Sequence, residues 1–249
     1  MAEKDFSTQI NDAFERVAAE FNKVRTEIAS GGQATTAEKV TLKDGKTVQQ
    51  AIDDLNYKAI SISSLTCSVG TQEIGATVTE ATISWKLSKA AKNATLNNEA
   101  VETAVTGSKT FTGLEVKANT TYTLAVTDDR DAKASKSVTI SFLNRVYWGK
   151  SSVTNGDNVN SEFVLGLSDS ALAGNFVRDI TFNAAAGEYL YYAIPTSMGT
   201  PHFWSGGFEG GVSAVKTFNH TNASGATASY TVYRTDNAGL GQTTINVKA

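Results

Sequence analysis

Cysteine is almost missing from this chain of 249 residues: Cys67 stands alone. A single cysteine excludes an internal disulfide framework. In "SSLTCSVG" it reads as the filler of a small strand position, because nucleophilic cysteine chemistry also needs a positioned histidine. Histidine is scarce as well. His202 and His220 lie apart, with no H-x-x-x-H or Cys-x-x-Cys companion, so the zinc spacings are missing. The 2 prolines and the 19% share of charged residues argue against long disorder, and the 41% hydrophobic content is enough for packed cores. Net charge is -3 with no basic run, which removes the electrostatic footprint of a nucleic-acid binder. No apolar run approaches the ~18 residues of a membrane span. The opening "MAEKDFSTQ" has no apolar core of a secretory signal, so folding in a cytosol is expected.

What the sequence does have changes character along the chain. From Ile10 to Ile28, "INDAFERVAAEFNKVRTEI" steps its apolar residues by four and three. With Ile10 at d, residues Phe14, Phe21 and Ile28 fall at a, and Val17 and Val24 at d. Glu20 then sits at g and Arg25 at e, where opposite charges pair between parallel chains. Phe at a with β-branched Val at d departs from the dimer pattern, so the expectation is a homotrimer. The same spacing also fits an amphipathic helix packed on a β-sheet. "SGGQATTAEK" ends the helix with paired glycines and small polar residues. A second short helix is expected in "KTVQQAIDDLNYKAI", where Thr47 and Gln50 form a capping box and Val48, Ile52 and Leu55 make a second short seam.

Beyond Ile60 the period becomes two. Ala81, Ile83, Trp85 and Leu87 alternate with Thr82, Ser84 and Lys86; Tyr122, Leu124 and Val126 do likewise, as do Val138, Ile140 and Phe142. The polar "TDDRDAKASKS" suits a hairpin connection. "YTLAVTDDRDAKASKSVTI" and "YTVYRTDNAGLGQTTINV" align Tyr122 with Tyr230 and Asp128 with Asp236, which predicts a terminal hairpin closing each of two β-sandwiches. The expected fold is mainly β: a short helical, coiled-coil arm over residues 1–59, then tandem Ig-like sandwiches over 60–145 and 146–249.

Chemistry is hard to find. "SGGFEGGV" has four glycines but no P-loop Lys-Ser/Thr and no G-x-G-x-x-G order, and reads as a tight exposed loop. Asp128, Asp129 and Asp131 offer clustered oxygens of the kind calcium takes, but a hairpin turn needs the same residues, and the turn is the favoured reading. Asp157, Glu162, Glu188 and Glu209 are scattered, with no spacing that marks an acid/base pair. No catalytic, cofactor or metal residues are assigned, and a non-enzymatic protein is expected. The aromatics are more informative. Tyr192, His202, Phe203, Trp204 and Phe208 crowd around loops rich in Gly, Ser and Thr, and are the candidate ligand contacts, for sugar rings or protein partners. Core burial of Tyr189, Tyr191 and Phe203 is the competing reading.

The stretches "ISISSLTCSVGTQEIGATVTEATISWKLS" and "FTGLEVKANTTYTLAVTDDRDAKASKSVTISFLNRVYWG" resemble the Ig-like modules of tailed-bacteriophage structural proteins. "YYAIPTSMGTPHFWSGGFEGG" and "YRTDNAGLGQTTINV" are similar to the end domains that accompany such modules in fibre or baseplate-associated proteins. "TLKDGKTVQQAIDDLN" resembles the connectors of trimeric phage fibres. The resemblance implies a virion component made in the host bacterial cytoplasm, a head or tail fibre or decoration protein. Its arm would bind its own copies and other virion proteins, and its last domain a host-surface glycan or protein. A purely structural joint is the first alternative. A glycan-cleaving fibre enzyme is another, although no paired-carboxylate motif carries over.

Overall fold

A computed structural model of the chain describes residues 6–29 and 39–249; the side chains of residues 6, 7, 9, 10 and 27–29 lie outside that description. The chain is mainly β, with several sheets and an N-terminal helix. It divides into two compact units, one ending at Lys58 and the other Ala59–Ala249.

The first unit holds α1 (Phe6–Ala29) and α2 (Val48–Asn56). Before α2 the backbone doubles back: Thr41 bridges Thr47 around Gly45, whose φ of 85° suits glycine. The capping box read from the sequence is present. Thr47 Oγ1 accepts from the Gln50 amide at 3.1 Å, and Gln50 Oε1 from the Thr47 amide at 2.8 Å. Two groups that a helix start leaves unpaired are thereby satisfied.

The second unit starts with β1 (Ile62–Cys67), β2 (Gln72–Glu73), β3 (Val78–Leu87), β4 (Asn93–Leu96) and β5 (Glu99–Ala100). It continues with β6 (Thr106–Val116), β7 (Thr120–Thr127), β8 (Lys133–Ile140) and β9 (Phe142–Leu143). One sheet runs β1-β3-β6, a second β5-β4-β7-β8, and β2 pairs with β9 in parallel. Both larger sheets feed one core: Ala81, Ile83, Trp85 and Leu87 from β3, and Tyr122, Leu124 and Val126 from β7. Strict alternation places these side chains inward, as the period of two requires. Trp85 fits because Gly107 on β6 has no side chain. A Cβ there would lie 2.5 Å from the indole ring.

The remaining strands are β10 (Arg145–Ser151), β11 (Asp169–Leu172), β12 (Arg178–Ala184), β13 (Tyr189–Pro195) and β14 (His202–Ser205). They end with β15 (Phe208–Glu209), β16 (Val212–Thr221), β17 (Thr227–Thr235) and β18 (Gly241–Lys248). A five-stranded sheet runs β11-β10-β13-β17-β16, and a four-stranded sheet runs β12-β18-β14-β15. The chain crosses between the two sheets after β11, β12, β13, β15 and β17. The expected terminal hairpin at residues 230–247 does not form: β17 pairs with β13 and β16, whereas β18 pairs with β12 and β14. Residues 236–240 carry the chain from one sheet to the other. Asp236 therefore has no counterpart role to Asp128.

Two cores lie on opposite faces of the five-stranded sheet. Leu190, Tyr192 and Ile194 of β13 join Ile180, Phe182, Phe203, Ile245 and Val247 between the sheets. Tyr191 and Ala193 face the other way, against Val159, Val164 and Leu167 from the segment that includes the one-turn helix α3 (Ser161–Leu165). A strand covered on both faces has no polar alternation, which accounts for the continuous run "YLYYAI".

Candidate functional site

Of the five candidate ligand contacts, two lie inside. Tyr192 is buried, donates its hydroxyl to the Phe176 carbonyl at 2.5 Å, and has its pKa pushed up to about 12 by burial. Phe203 is buried between Tyr192 and Tyr233. On β14 the faces alternate, so the neighbours of Phe203 point outward: His202 is exposed and Trp204 partly so. Phe208, the first residue of β15, is 80% exposed and pairs with Ser205 across the β14–β15 hairpin. Gly206, Gly207, Gly210 and Gly211 all have positive φ (57°, 88°, 123° and 75°), so the glycine-rich stretch is the tight loop that the sequence suggested.

Pairing across the four-stranded sheet sets the neighbours of Trp204. Its partners are Asn246 on β18 and Glu209 on β15, and Asn246 in turn lies opposite Asp179 on β12. Directly paired residues share a face, so Asp179, Asn246, Trp204 and Glu209 form one row across four strands. Asn246 Nδ2 donates to Asp179 Oδ1 at 2.7 Å. His202 Nδ1 bonds Glu209, and the Lys248 ammonium lies 4.6 Å from the Trp204 ring centroid. Sequence reasoning found His202 and Trp204. It missed Asp179, Asn246 and Lys248, whose relation to Trp204 depends on non-local strand order.

A second polar cluster ties the two β-regions together. Tyr147 on β10 donates its hydroxyl to Glu73 Oε1 at 3.3 Å, and Arg145 Nε lies 3.6 Å from the same oxygen. Asn222 Nδ2 donates to the Ile74 carbonyl at 2.7 Å. Gly75, with φ of 98°, lies so close to Ala226 that a Cβ would approach it to 2.7 Å. Burial, with the Glu73 carboxylate beside it, raises the Tyr147 hydroxyl above the ordinary tyrosine range. Tyr230 is raised in the same way, first by burial, and donates to the Arg145 carbonyl at 2.6 Å. Behind them His220 is 1% exposed, packed edgewise against Tyr147 and Tyr230 and near Phe218. Neither of its ring nitrogens has a hydrogen-bond partner among the described residues.

The aspartate cluster has structural work. Asp128 is buried, and its carboxylate accepts from the amides of Ile60, Arg130 and Ala132 and pairs with Lys89 at 2.8 Å. Asp131 pairs with Lys92 at 2.9 Å. No group of three or more metal-ligating side chains occurs among the described residues.

The expected seam residues on α1 are open to solvent in the single chain: Phe14 is 69%, Val17 52% and Phe21 70% exposed, with Val24 half-buried. Ile10 and Ile28 were assigned to the same seam, and their side chains lie outside the described residues. On α2, Leu55 is 86% and Ile52 42% exposed, and Val48 is half-buried. No described helix is long and apolar enough to cross a membrane.

No protein-family model and no curated protein matches the chain. Among solved structures, the chain is similar to a chitinase from Bacillus thuringiensis, with 12% identity and a TM-score of 0.23 over 92% of this chain and 36% of that one. It is also similar to an α-L-rhamnosidase from Dictyoglumus thermophilum, with 13% identity and a TM-score of 0.21 over 77% of this chain and 25% of that one. The chain thus spans about a third or less of those proteins' lengths. At such scores the likeness carries no argument about fold or activity.

Proposed function

We propose that the chain is a non-enzymatic bacteriophage virion protein, a trimeric head- or tail-fibre or decoration component that contacts the host surface. The observation that carries this reading is the apolar stripe on α1. Phe14, Val17 and Phe21 follow heptad spacing yet stay more than half exposed. A solitary helix with such a stripe is marginal in water, and burying it against two further copies removes most of that apolar area. In this reading residues 1–59 form the coiled-coil anchoring arm, and residues 60–145 and 146–249 form two tandem Ig-like sandwiches. The resemblance of the connector and of the β-modules to phage fibre proteins supplies the setting, a virion assembled in the bacterial cytoplasm.

Light scattering tests the arm. The intact chain is expected to be a trimer at micromolar concentration, and the double variant Phe14→Glu/Phe21→Glu a monomer, because charge at two a positions cannot be buried. A monomeric intact chain removes the trimer, and with it the fibre reading.

The purely structural joint is the second reading, and the Glu73–Tyr147 and Asn222–Ile74 contacts favour it, since they brace the two β-regions as one strut. It predicts binding to other virion proteins and no response to host-surface molecules.

A further inference from the structure

We infer that the outward face of the β12-β18-β14-β15 sheet binds a neutral oligosaccharide, with Trp204 as the stacking platform and Asp179, Asn246, His202, Glu209 and Lys248 as its polar surround. The inference deepens the host-contact part of the proposed function by naming a face and a ligand class. The row Asp179–Asn246–Trp204–Glu209 crosses four adjacent strands. At the usual spacing of ~4.8 Å between strands it is about 14 Å long, room for a short chain of sugar rings.

The composition of the row selects the ligand. Two carboxylates against one ammonium leave no excess of cations, so the face lacks the cationic density that a phosphate backbone or an anionic membrane requires. One partly buried indole amid polar groups is also poor material for a protein interface, whose centre is apolar and depleted of charge. A sugar ring has what this face matches: an apolar C–H face for the indole, and hydroxyls at its edge that both donate and accept. Carboxylates accept through several lone pairs, the Asn246 amide does both, and Lys248 donates.

The three tryptophans are not equivalent. Trp85 is buried, and the partly buried Arg178 guanidinium covers Trp148 at 4.3 Å, with its Nε shut off from solvent. Over Trp204 lies Lys248, an exposed lysine whose flexible stem can swing aside for a ligand. That difference singles out Trp204.

The test uses the full chain grown with fluorotryptophan, which gives one fluorine resonance for each tryptophan, assigned with Trp204→Phe. Maltoheptaose, cellohexaose and dextran are titrated to millimolar concentration, with a heparin oligosaccharide as the anionic control. The expected result is a saturable shift of the Trp204 resonance with at least one neutral glycan. Affinity should fall at least about tenfold in Asn246→Ala by the same line and in Trp204→Ala by titration calorimetry, while the Trp85 and Trp148 lines stay in place and report an intact fold. A Trp204 line that no neutral glycan moves overturns the inference. So does one that moves only with heparin, or one whose shift survives Asn246→Ala and Asp179→Ala unchanged. The outcome is separable from that of the arm. A trimer silent to all three neutral glycans sinks this site and leaves the fibre reading, whereas a monomer that binds them does the reverse.

Discussion

His220 is the residue whose surroundings and chemistry conflict most. Its imidazole is shut among Tyr147, Phe218 and Tyr230, and burial lowers its pKa below the ordinary histidine value. The Glu73 carboxylate is taken up by Tyr147 and Arg145, and neither imidazole nitrogen has a partner among the described residues, so burial alone sets the direction of the shift. In the unfolded chain a histidine titrates near ~6.5. Between that value and the lower folded one, the unfolded state binds a proton that the folded state refuses. Stability is therefore fully present above ~6.5 and falls as pH drops through this window. Thermal unfolding followed across mildly acidic pH should show the loss in the wild type and a shallower one in His220→Phe; parallel curves would assign the acid sensitivity elsewhere. In the sequence, His220 stood only as one of two histidines without metal spacing. Its burial could not be read from "TFNHTNASG", because apart from Phe218 the rings that enclose it, Tyr147 and Tyr230, come from β10 and β17.

At the scale of the element, two loops solve one problem with the same atoms. Between β7 and β8, Asp128 Oδ1 accepts from the amides two and four residues on, and Asp131 takes φ of 60°. Between β16 and β17, Asn222 Oδ1 accepts from Ser224 and Ala226, and Gly225 takes φ of 82°. The alignment of Tyr122 with Tyr230 pointed to Asp236 as the counterpart of Asp128; the geometry makes it Asn222. Asp128 also holds the Ile60 amide and Lys89, which pins the start of the second unit to this turn. Asp128→Ala strips an acceptor from three amides and should cost about 2–4 kcal/mol in urea denaturation. Asp128→Asn keeps one oxygen, as Asn222 does, and should recover roughly half of that loss. Equal losses in both variants would place the stabilisation in the Lys89 charge pair alone. Strand identity and inward faces in β3 and β7 were legible from alternation. The face assignment of β13 was not, because burial on both sides erases the pattern.

At the scale of the whole molecule, the Ala59–Ala249 unit is joined by few but specific contacts. Removing Glu73 leaves the buried Tyr147 hydroxyl without its acceptor, a loss of about 1–3 kcal/mol, and removing the Asn222 amide frees the Ile74 carbonyl. Calorimetry of the wild type should give one cooperative transition. The double variant Glu73→Ala/Asn222→Ala should split it in two, as the cores built on β3 and β13 melt separately; an unsplit peak would mean that the close packing of Gly75 on Ala226 suffices to couple them. Nothing in "TQEIGA" announces this role. Glu73 gains its partners by reaching Tyr147, far along the chain. By itself the sequence determined what depends on neighbours in the chain: the capping box of α2, the heptad spacing of α1, the alternation of the strands and the glycine loop before β16. Those follow from periods of 3.6 and 2 and from backbone freedom, which act over a few residues. The tertiary structure alone decided which strand lies beside which. It therefore decided that β17 and β18 part into different sheets, that Tyr192 and Phe203 go inside, and that Trp204 meets Asn246 and Asp179. Strand pairing is long-range, and one sequence pattern is compatible with many orders.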